Sequence, residues 1–310
     1  KTNPRSLLPI PSFFDSKNVG KVWQVAYAER ATQAREWAQK YRISNASADR
    51  VRVGLLLIDV QNTFCTEGFE LVVQGATDDN IRLLRFIYEN LAQITEMIPT
   101  LDTHQASQIF HPVFWSDEQS HPPAPMTQIT LDEVKKGKWR ANPHLALGVY
   151  QGDEQGLQSY ALHYVQKLTK EGKYPLMIWP YHAMLGGIGH ALVSGVEEAC
   201  FFHQIARNSP TRFELKGKNP LTENYSILQP EVLKDAQGKK IADKNKELLQ
   251  HLLELDTLII AGQAKSHCVA WTIDHLLSEI LEVDTKLAKK VYLLEDTNSP
   301  VVVPGIVDFT

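Results

Sequence analysis

The sequence has few cysteines, no surplus of basic residues and no long apolar run. Its three cysteines, at positions 65, 200 and 268, are too few for a disulfide framework and favour a reducing compartment. A formal net charge of −4 leaves no excess of lysine and arginine to neutralise a phosphate backbone or an anionic membrane. The apolar runs are far shorter than the roughly 20 residues that a membrane span needs. We therefore expect no nucleic-acid partner and no membrane association.

The chain is long enough to bury a large core. Its 310 residues, of which 43% are hydrophobic, suit one large domain or two small ones. No charged-then-apolar leader follows Lys1, and this agrees with the low cysteine content, so we expect a cytoplasmic protein.

Short apolar runs alternate with amphipathic helical patterns along most of the chain. Residues 51–59 form a nearly continuous apolar run that ends in a carboxylate, which is typical of a strand buried in a parallel sheet. The alternation that follows predicts helices at 78–96, 190–207, 245–255 and 269–280, and strands at 97–101, 175–179, 211–216, 257–261 and 291–295. This pattern predicts an α/β fold, a three-layer, doubly wound, mostly parallel sheet with helices on both faces.

Two segments depart from this alternation. Residues 1–50 are expected to form an N-terminal arm and an amphipathic helix, and residues 51–310 to form the main domain. Within that domain, an insertion at about 105–173 carries many prolines, and its length is typical of a functional cap or an oligomer contact. Because it begins directly after His104, we expect it to border a ligand site. Trp115 would then shield the substrate or fill a small core of the cap itself.

Polar side chains follow the predicted strands at the points where the strands end. Ligands of parallel sheets bind at this edge, and Asp59, Asp102, His104, Lys216 and Cys268 all lie there. Each has an ordinary structural explanation on its own, since such an aspartate often caps a helix and a buried cysteine often acts as a small hydrophobe. Their convergence on one edge favours a reactive site instead.

Cys268 has the strongest local argument for chemistry. It lies at the start of an apolar helix, where free backbone N–H groups and the helix dipole favour a thiolate and can hold an oxyanion. A cysteine nucleophile needs a base. Asp59 is preferred over His267, because successive residues at a helix start point in different directions.

A second group of side chains has the chemistry of metal ligands. Asp102 and His104 are two positions apart on an extended segment, so both side chains lie on the same side. If His182 converges on them, the three side chains form a ligand set for a divalent metal.

Five motifs resemble those of the isochorismatase-like cysteine hydrolases, most closely the nicotinamidase branch, and occur in the same order. They are DVQNTF at 59–64, DTH at 102–104, WPYH at 179–182, KGKNPLTENYS at 216–226 and GQAKSHCV at 262–269. The resemblance covers residues 53–296 and is interrupted by the insertion. It implies an isochorismatase-like domain with an inserted cap. The implied activity is cysteine-dependent hydrolysis of a small planar amide, with a thioester intermediate and release of ammonia.

The resemblance also implies roles for the residues of the site. Asp59, Lys216 and Cys268 would form a catalytic triad in which Cys268 attacks the carbonyl, Asp59 moves protons and Lys216 orients and polarises the site. Backbone donors of Ala264 and Cys268 would hold the oxyanion after a cis peptide bond between Gln263 and Ala264.

A metal and a substrate pocket are implied in the same way. One divalent metal would bind Asp102, His104 and His182 and face the ring nitrogen of a pyridine substrate, with zinc expected and iron or manganese as alternatives. The expected partners are a small-molecule amide and further copies of the chain in a homo-oligomer. The substrate pocket would be lined by Phe64, Trp179, Tyr181 and Gln263.

The sequence departs from the family pattern around the predicted pocket. Lys265, Ser266 and His267 replace the usual residues before the nucleophile, Ala183 replaces a cysteine, and residues 189–191 lack the usual glutamate. Three other functions stay open. They are a metal-free hydrolase or amidase of another small substrate, a catalytically silent binding protein on the same fold, and a metal hydrolase in which water rather than Cys268 is the nucleophile.

Overall fold

The computed structural model of the chain describes residues 7–171, 174–303, 305 and 307–310. The first six residues of the predicted arm and the last two of the predicted insertion lie outside the described residues. Among the described residues, no helix is both long enough and apolar enough to cross a bilayer.

A five-stranded parallel sheet forms the centre of the described chain, in the order β7-β2-β1-β8-β9. In chain order the strands are β1 (Val53–Ile58), β2 (Glu96–Asp102), β3 (Trp115–Ser116), β4 (Gln128–Ile129), β5 (Arg140–Ala141), β6 (Leu176–Met177), β7 (Glu214–Lys216), β8 (Thr257–Gly262), β9 (Val291–Leu293), β10 (Val302–Val303) and β11 (Val307–Asp308). Strands β1 and β8 read VGLLLI and TLIIAG, which suits strands covered on both faces.

Helices cover both faces of this sheet. They are α1 (Tyr27–Lys40), α2 (Asn62–Cys65), α3 (Ala76–Glu89), α4 (Leu131–Lys135), α5 (Ala146–Val149), α6 (Glu154–Glu171), α7 (Ser194–Arg207), α8 (Lys246–Glu254) and α9 (Ala270–Val283). Apolar residues of α1, α3 and α7 pack with Leu55 and Leu57 of β1. Those of α8 and α9 pack with Leu56 and Ile58, because successive strand residues point to opposite faces. The predicted α/β class with helices on both faces is confirmed.

The strand register brings the polar residues to one edge of the sheet. Ile58 pairs with Gly262 at the ends of β1 and β8, and Asp102 pairs with Lys216 at the ends of β2 and β7. Gly262 has a φ of 119°, and a Cβ there would lie 2.1 Å from the carbonyl oxygen of Ile58. Only glycine tolerates both this positive φ and this close approach of the backbone. Gly262 therefore lets the segment after β8 leave the sheet beside Asp59.

The strand expected at 175–179 does not join the central sheet. It is shortened to β6 and pairs antiparallel with β4 of the insertion. The apolar residues that follow β6, Ile178 and Trp179, belong to the buried cluster of the insertion rather than to the cores beside the sheet. A short apolar run suits either environment, so hydrophobic periodicity could not assign this strand to one of them.

The insertion has a hydrophobic core of its own. Trp115 is 1% exposed within it, and its indole N–H donates a 2.6 Å hydrogen bond to the carbonyl oxygen of Ile109. Of the two roles expected for Trp115, the structure therefore shows the one in the core of the cap.

We expect Trp115→Ala to lower the free energy of unfolding by about 3–5 kcal/mol, because it leaves a large cavity in the core of the insertion. Urea denaturation measures this difference. Leu147→Ala is the control, since this side chain of the same insertion is 83% exposed and should change stability by no more than about 0.5 kcal/mol. A Trp115→Ala protein that unfolds at the urea concentration of the wild type would contradict the buried role.

Candidate active site

The buried lysine of the predicted triad contacts the other two triad residues. The Nζ atom of Lys216 lies 2.9 Å from Oδ2 of Asp59 and 3.5 Å from Sγ of Cys268. The same Nζ lies 2.9 Å from Oδ1 of Asp102 and donates a 2.8 Å hydrogen bond to the carbonyl oxygen of Asn224. The ammonium group is thus fixed from several sides at the edge of the sheet.

Each triad residue is positioned by a different element. Asp59 follows β1, and the hydroxyl of Thr100 in β2 donates a 2.6 Å hydrogen bond to its Oδ1. Lys216 is the last residue of β7. Cys268 lies in a π-helical turn, Lys265–Val269, that leads directly into α9. Parallel strands and a strand-to-helix turn therefore gather residues that are far apart in the sequence.

The electrostatics of the triad differ from the expectation of a stabilised thiolate. Burial raises the pKa of the Cys268 thiol well above its ordinary value, and Asp59 adds to this effect, although Lys216 opposes it. Burial also raises the pKa of Asp59, against the lowering effect of Lys216. For Lys216, burial alone would lower the pKa, but Asp102 and Asp59 outweigh it and raise the pKa well above the ordinary value. The resting pair is therefore a protonated thiol beside a charged ammonium.

The turn that carries Cys268 has the backbone geometry that the resemblance implies. The peptide bond between Gln263 and Ala264 is cis. The side-chain amide of Gln263 donates a 2.8 Å hydrogen bond to Asp79 and accepts one of 3.2 Å from the backbone N–H of Ser299. Gln263 lines the cavity as expected, and its amide holds the turn in place. The oxyanion role of Ala264 and Cys268 stays a prediction.

Asp102, His104 and His182 converge in a buried cluster that could hold a metal. One ligand atom from each lies within 4.8 Å of the others. The Nδ1 atoms of His104 and His182 lie 3.1 Å and 2.8 Å from the carbonyl oxygens of Gly217 and Pro180. Because a carbonyl only accepts, Nδ1 carries the hydrogen in each ring, and in a neutral imidazole Nε2 is then a free acceptor.

The Nε2 atoms of both histidines face the carboxylate of Asp102. Nε2 of His104 lies 2.8 Å from Oδ2 of Asp102, and Nε2 of His182 lies 3.7 Å from the same oxygen. Burial lowers the pKa of His182, which favours its neutral form. Burial alone would raise the pKa of Asp102, but His104 and Lys216 outweigh it and hold that pKa well below its ordinary value. Two ring nitrogens and a carboxylate oxygen that converge in this way form a donor set that fits a divalent cation.

Two other residues matter for this cluster and were not identified from the sequence. Gly217 has a φ of 79°, and a Cβ there would lie 2.5 Å from the His104 ring, so glycine permits the close approach of this ring. His111 is fully buried with its ring centroid 5.5 Å from that of His182. Its Nδ1 faces the carbonyl of Gln105, and its Nε2 has no hydrogen-bond partner among the described residues. His111 therefore packs against the cluster without belonging to the set of three side chains that could hold a metal.

The triad and the cluster of Asp102, His104 and His182, called the metal cluster below, border one small cavity of about 40 Å³. Asp102, His182 and Cys268 line it, and the expected pocket residues Phe64 and Trp179 form part of its wall. Tyr181 was expected to form a further part of the wall. Its side chain points out of the cavity instead, is 41% exposed and packs against His111.

The cavity wall also contains polar residues that the sequence analysis did not single out. Glu223 and Tyr225 line it and belong to the KGKNPLTENYS motif, which offered the signal to find them. Burial raises the pKa of Glu223 well above its ordinary value. His267 lines the cavity too, with Nδ1 2.9 Å from Oγ of Ser266, and burial lowers its pKa to about 4. A histidine with so low a pKa is a weak base, which agrees with the preference for Asp59.

Comparisons with known proteins give a likeness of fold. A scan against models of protein families and a search of curated proteins both gave no match. The structure is similar to the yeast nicotinamidase, with 18% identity and a TM-score of 0.49 over 82% of this chain and 90% of that chain. It is also similar to a nicotinamidase and pyrazinamidase of Acinetobacter baumanii, with 19% identity and a TM-score of 0.48 over 83% of this chain and 89% of that chain.

A third similar structure is a pyrazinamidase of Pyrococcus horikoshii in complex with zinc. It is 15% identical, with a TM-score of 0.42 over 81% of this chain and 88% of that chain. At these identities the likeness is one of fold.

Proposed function

We propose that this chain is a cysteine-dependent hydrolase of a small planar amide, with nicotinamide as the first candidate substrate. The observation that carries the proposal is the buried contact of Lys216 with both Asp59 and Cys268 beside the small cavity. Burying such charges is costly, and apolar residues of similar size would often be at least as stable. The arrangement supplies a nucleophile, a proton acceptor and a fixed positive charge, which together suit acyl transfer.

In the first half of the reaction, Sγ of Cys268 attacks the amide carbonyl carbon while the thiol proton passes to Asp59. The raised pKa of the thiol suits this order, because the proton stays on sulfur until the carboxylate accepts it. The C–N bond then breaks and its electron pair leaves with nitrogen. Asp59 returns the proton to the nitrogen, so ammonia departs and a thioester remains.

In the second half, Asp59 accepts a proton from water as the water oxygen attacks the thioester carbon. The C–S bond breaks, the proton returns to sulfur, and the carboxylic acid product leaves. In both halves the backbone N–H groups of Ala264 and Cys268 would stabilise the oxyanion, and Lys216 favours the ionised form of Asp59 against the effect of burial.

We propose one divalent metal for the Asp102, His104 and His182 cluster, with zinc expected and iron or manganese as alternatives. The donor set of one oxygen and two nitrogens without a thiolate suits these ions and leaves coordination positions free. When bound, the ion supplies a Lewis-acid contact for a polar atom of the substrate. The residues of the chain hold the histidine rings by their Nδ1 hydrogen bonds and exclude bulk water.

Metal analysis of purified protein is expected to give about one divalent ion per chain, as a three-ligand site would bind. His104→Ala and His182→Ala should each lose most of it, because each removes a ligand from a three-ligand set. His121→Ala is the control, since the His121 side chain is 72% exposed and lies outside the cluster. Equal metal content in all four proteins, or none in any, would favour the metal-free alternative.

The activity itself is tested by ammonia release from a panel of nicotinamide, pyrazinamide, benzamide and an aliphatic amide. We expect turnover of at least one aromatic amide and little of the aliphatic one. A protein that binds these amides but releases no ammonia would instead support the silent binding protein.

A further inference from the structure

The described part of the insertion contributes no side chain to the cavity. All the described residues that line the cavity lie outside 105–171, including the aromatic wall residues Phe64, Trp179 and Tyr225. Of the two roles left open for Trp115, the one in the core of the cap is therefore the one that the described residues show, and Trp115 does not line the cavity. The insertion does contact two of the segments that carry residues of the cavity wall.

The first of these segments is the 221–225 wall, which carries Glu223 and Tyr225 into the cavity. The hydroxyl of Tyr160 donates a 2.8 Å hydrogen bond to the carbonyl oxygen of Leu221. The hydroxyl of Tyr164 accepts a 3.1 Å hydrogen bond from the backbone N–H of Glu223. Both tyrosines lie on α6, four residues apart and therefore on one helix face, and both are buried.

The second segment is the 178–182 wall, which carries Trp179 and His182. The backbone N–H of Ile178 donates to the carbonyl oxygen of Thr127 at 2.9 Å, and that of Trp179 donates to Phe110 at 2.8 Å. Main-chain hydrogen bonds from the insertion thus hold this wall too. Side-chain substitution cannot remove them, so the tyrosine contacts are the ones that an experiment can change.

We propose that the insertion is a scaffold that sets the width of the cavity, with Tyr160 and Tyr164 as positioning residues that act through the 221–225 wall. The inference rests on the proposed function for its kinetic consequences. The hydroxyl groups hold the backbone at Leu221 and Glu223, so their loss lets the wall move outward there, while the hydrogen bond from Lys216 to Asn224 still ties the wall to the triad. The consequence is weaker binding and poorer rejection of bulky amides, with little effect on the chemical step.

The kinetic test compares Tyr160→Phe, Tyr164→Phe and the double variant with the wild type. We expect KM for nicotinamide to rise about 2- to 10-fold in Tyr164→Phe, the effect of one lost hydrogen bond, with kcat changed less than about 2-fold. The ratio of kcat/KM for nicotinamide to that for the bulkier 5-methylnicotinamide should fall. Tyr150→Phe is the matched control, because Tyr150 stacks on Tyr160 within the insertion and its hydroxyl has no described hydrogen bond to the 221–225 wall.

Hydrogen–deuterium exchange gives a readout that does not depend on activity. Exchange in residues 220–226 should speed up in Tyr164→Phe and in the double variant, but not in Tyr150→Phe. If the wild type hydrolyses no amide, the proposed function fails and the exchange result alone decides about the scaffold. Unchanged exchange in the double variant, or the same change of KM and kcat in Tyr150→Phe, would overturn the scaffold.

Discussion

Cys268→Ala is expected to remove amide hydrolysis, with kcat falling by at least about 10⁴-fold, because it deletes the only nucleophile of the proposed thioester route. The other residues that line the cavity are unchanged in this variant, as are Lys216 and the cluster of Asp102, His104 and His182. Substrate binding should therefore survive, and a direct binding measurement separates this loss from misfolding. Cys200→Ala is the matched control, since Cys200 is a buried thiol on α7 that lies outside the cavity.

Two measurements identify the cause of the lost activity. Intact-mass analysis after rapid quenching should show an acyl adduct on the wild type and none on Cys268→Ala. If Cys268→Ala keeps its activity and a chelator abolishes it, water is the nucleophile and the metal-hydrolase alternative is correct. The two routes thus predict opposite responses to the same pair of treatments.

The sequence predicts the layout of this site well because parallel strands bring their carboxyl ends together. Asp59, Asp102 and Lys216 each follow or end a strand, and the structure places both carboxylates 2.9 Å from Nζ of Lys216. No pairing information was needed for this step, since any order of neighbouring parallel strands collects such residues at one edge. Their catalytic roles stay predictions until the variants are measured.

Other features depend on packing between segments that are distant in the sequence, which no local sequence pattern indicates. The helix-start argument predicts a thiolate at Cys268, but burial by residues from distant segments raises the pKa of the thiol. His111 reaches the metal cluster because the chain turns back after His104, and nothing in the spacing of the two histidines indicates that turn. The insertion forms its own core, so Trp115 packs there and does not line the cavity.

Lys216→Met should lower the free energy of unfolding by about 3–5 kcal/mol, the usual cost of removing one partner from a buried charge cluster. It leaves the carboxylates of Asp59 and Asp102 buried side by side without the ammonium between them. Amide hydrolysis should be lost as well, because the ammonium that lowers the pKa of Asp59 against the effect of burial is gone, and the proton acceptor is then more often protonated. Lys218→Met is the control, since Lys218 lies two residues further along the chain and is exposed.

The loss of unfolding free energy in Lys216→Met should depend on pH, and the charges around Lys216 determine the direction of this dependence. Burial alone would raise the pKa of Asp102, but His104 and Lys216 outweigh it and hold that pKa below the ordinary value. A depressed folded-state pKa stabilises the fold above the ordinary aspartate pKa of about 3.9, and this stabilisation is lost as the pH falls further. The difference in unfolding free energy between wild type and Lys216→Met should therefore be large at pH 7 and be lost as the pH falls below about 4. Urea denaturation from pH 7 to below pH 4 measures the difference, and a value that grows towards acid pH would mean that Lys216 does not stabilise the ionised carboxylates.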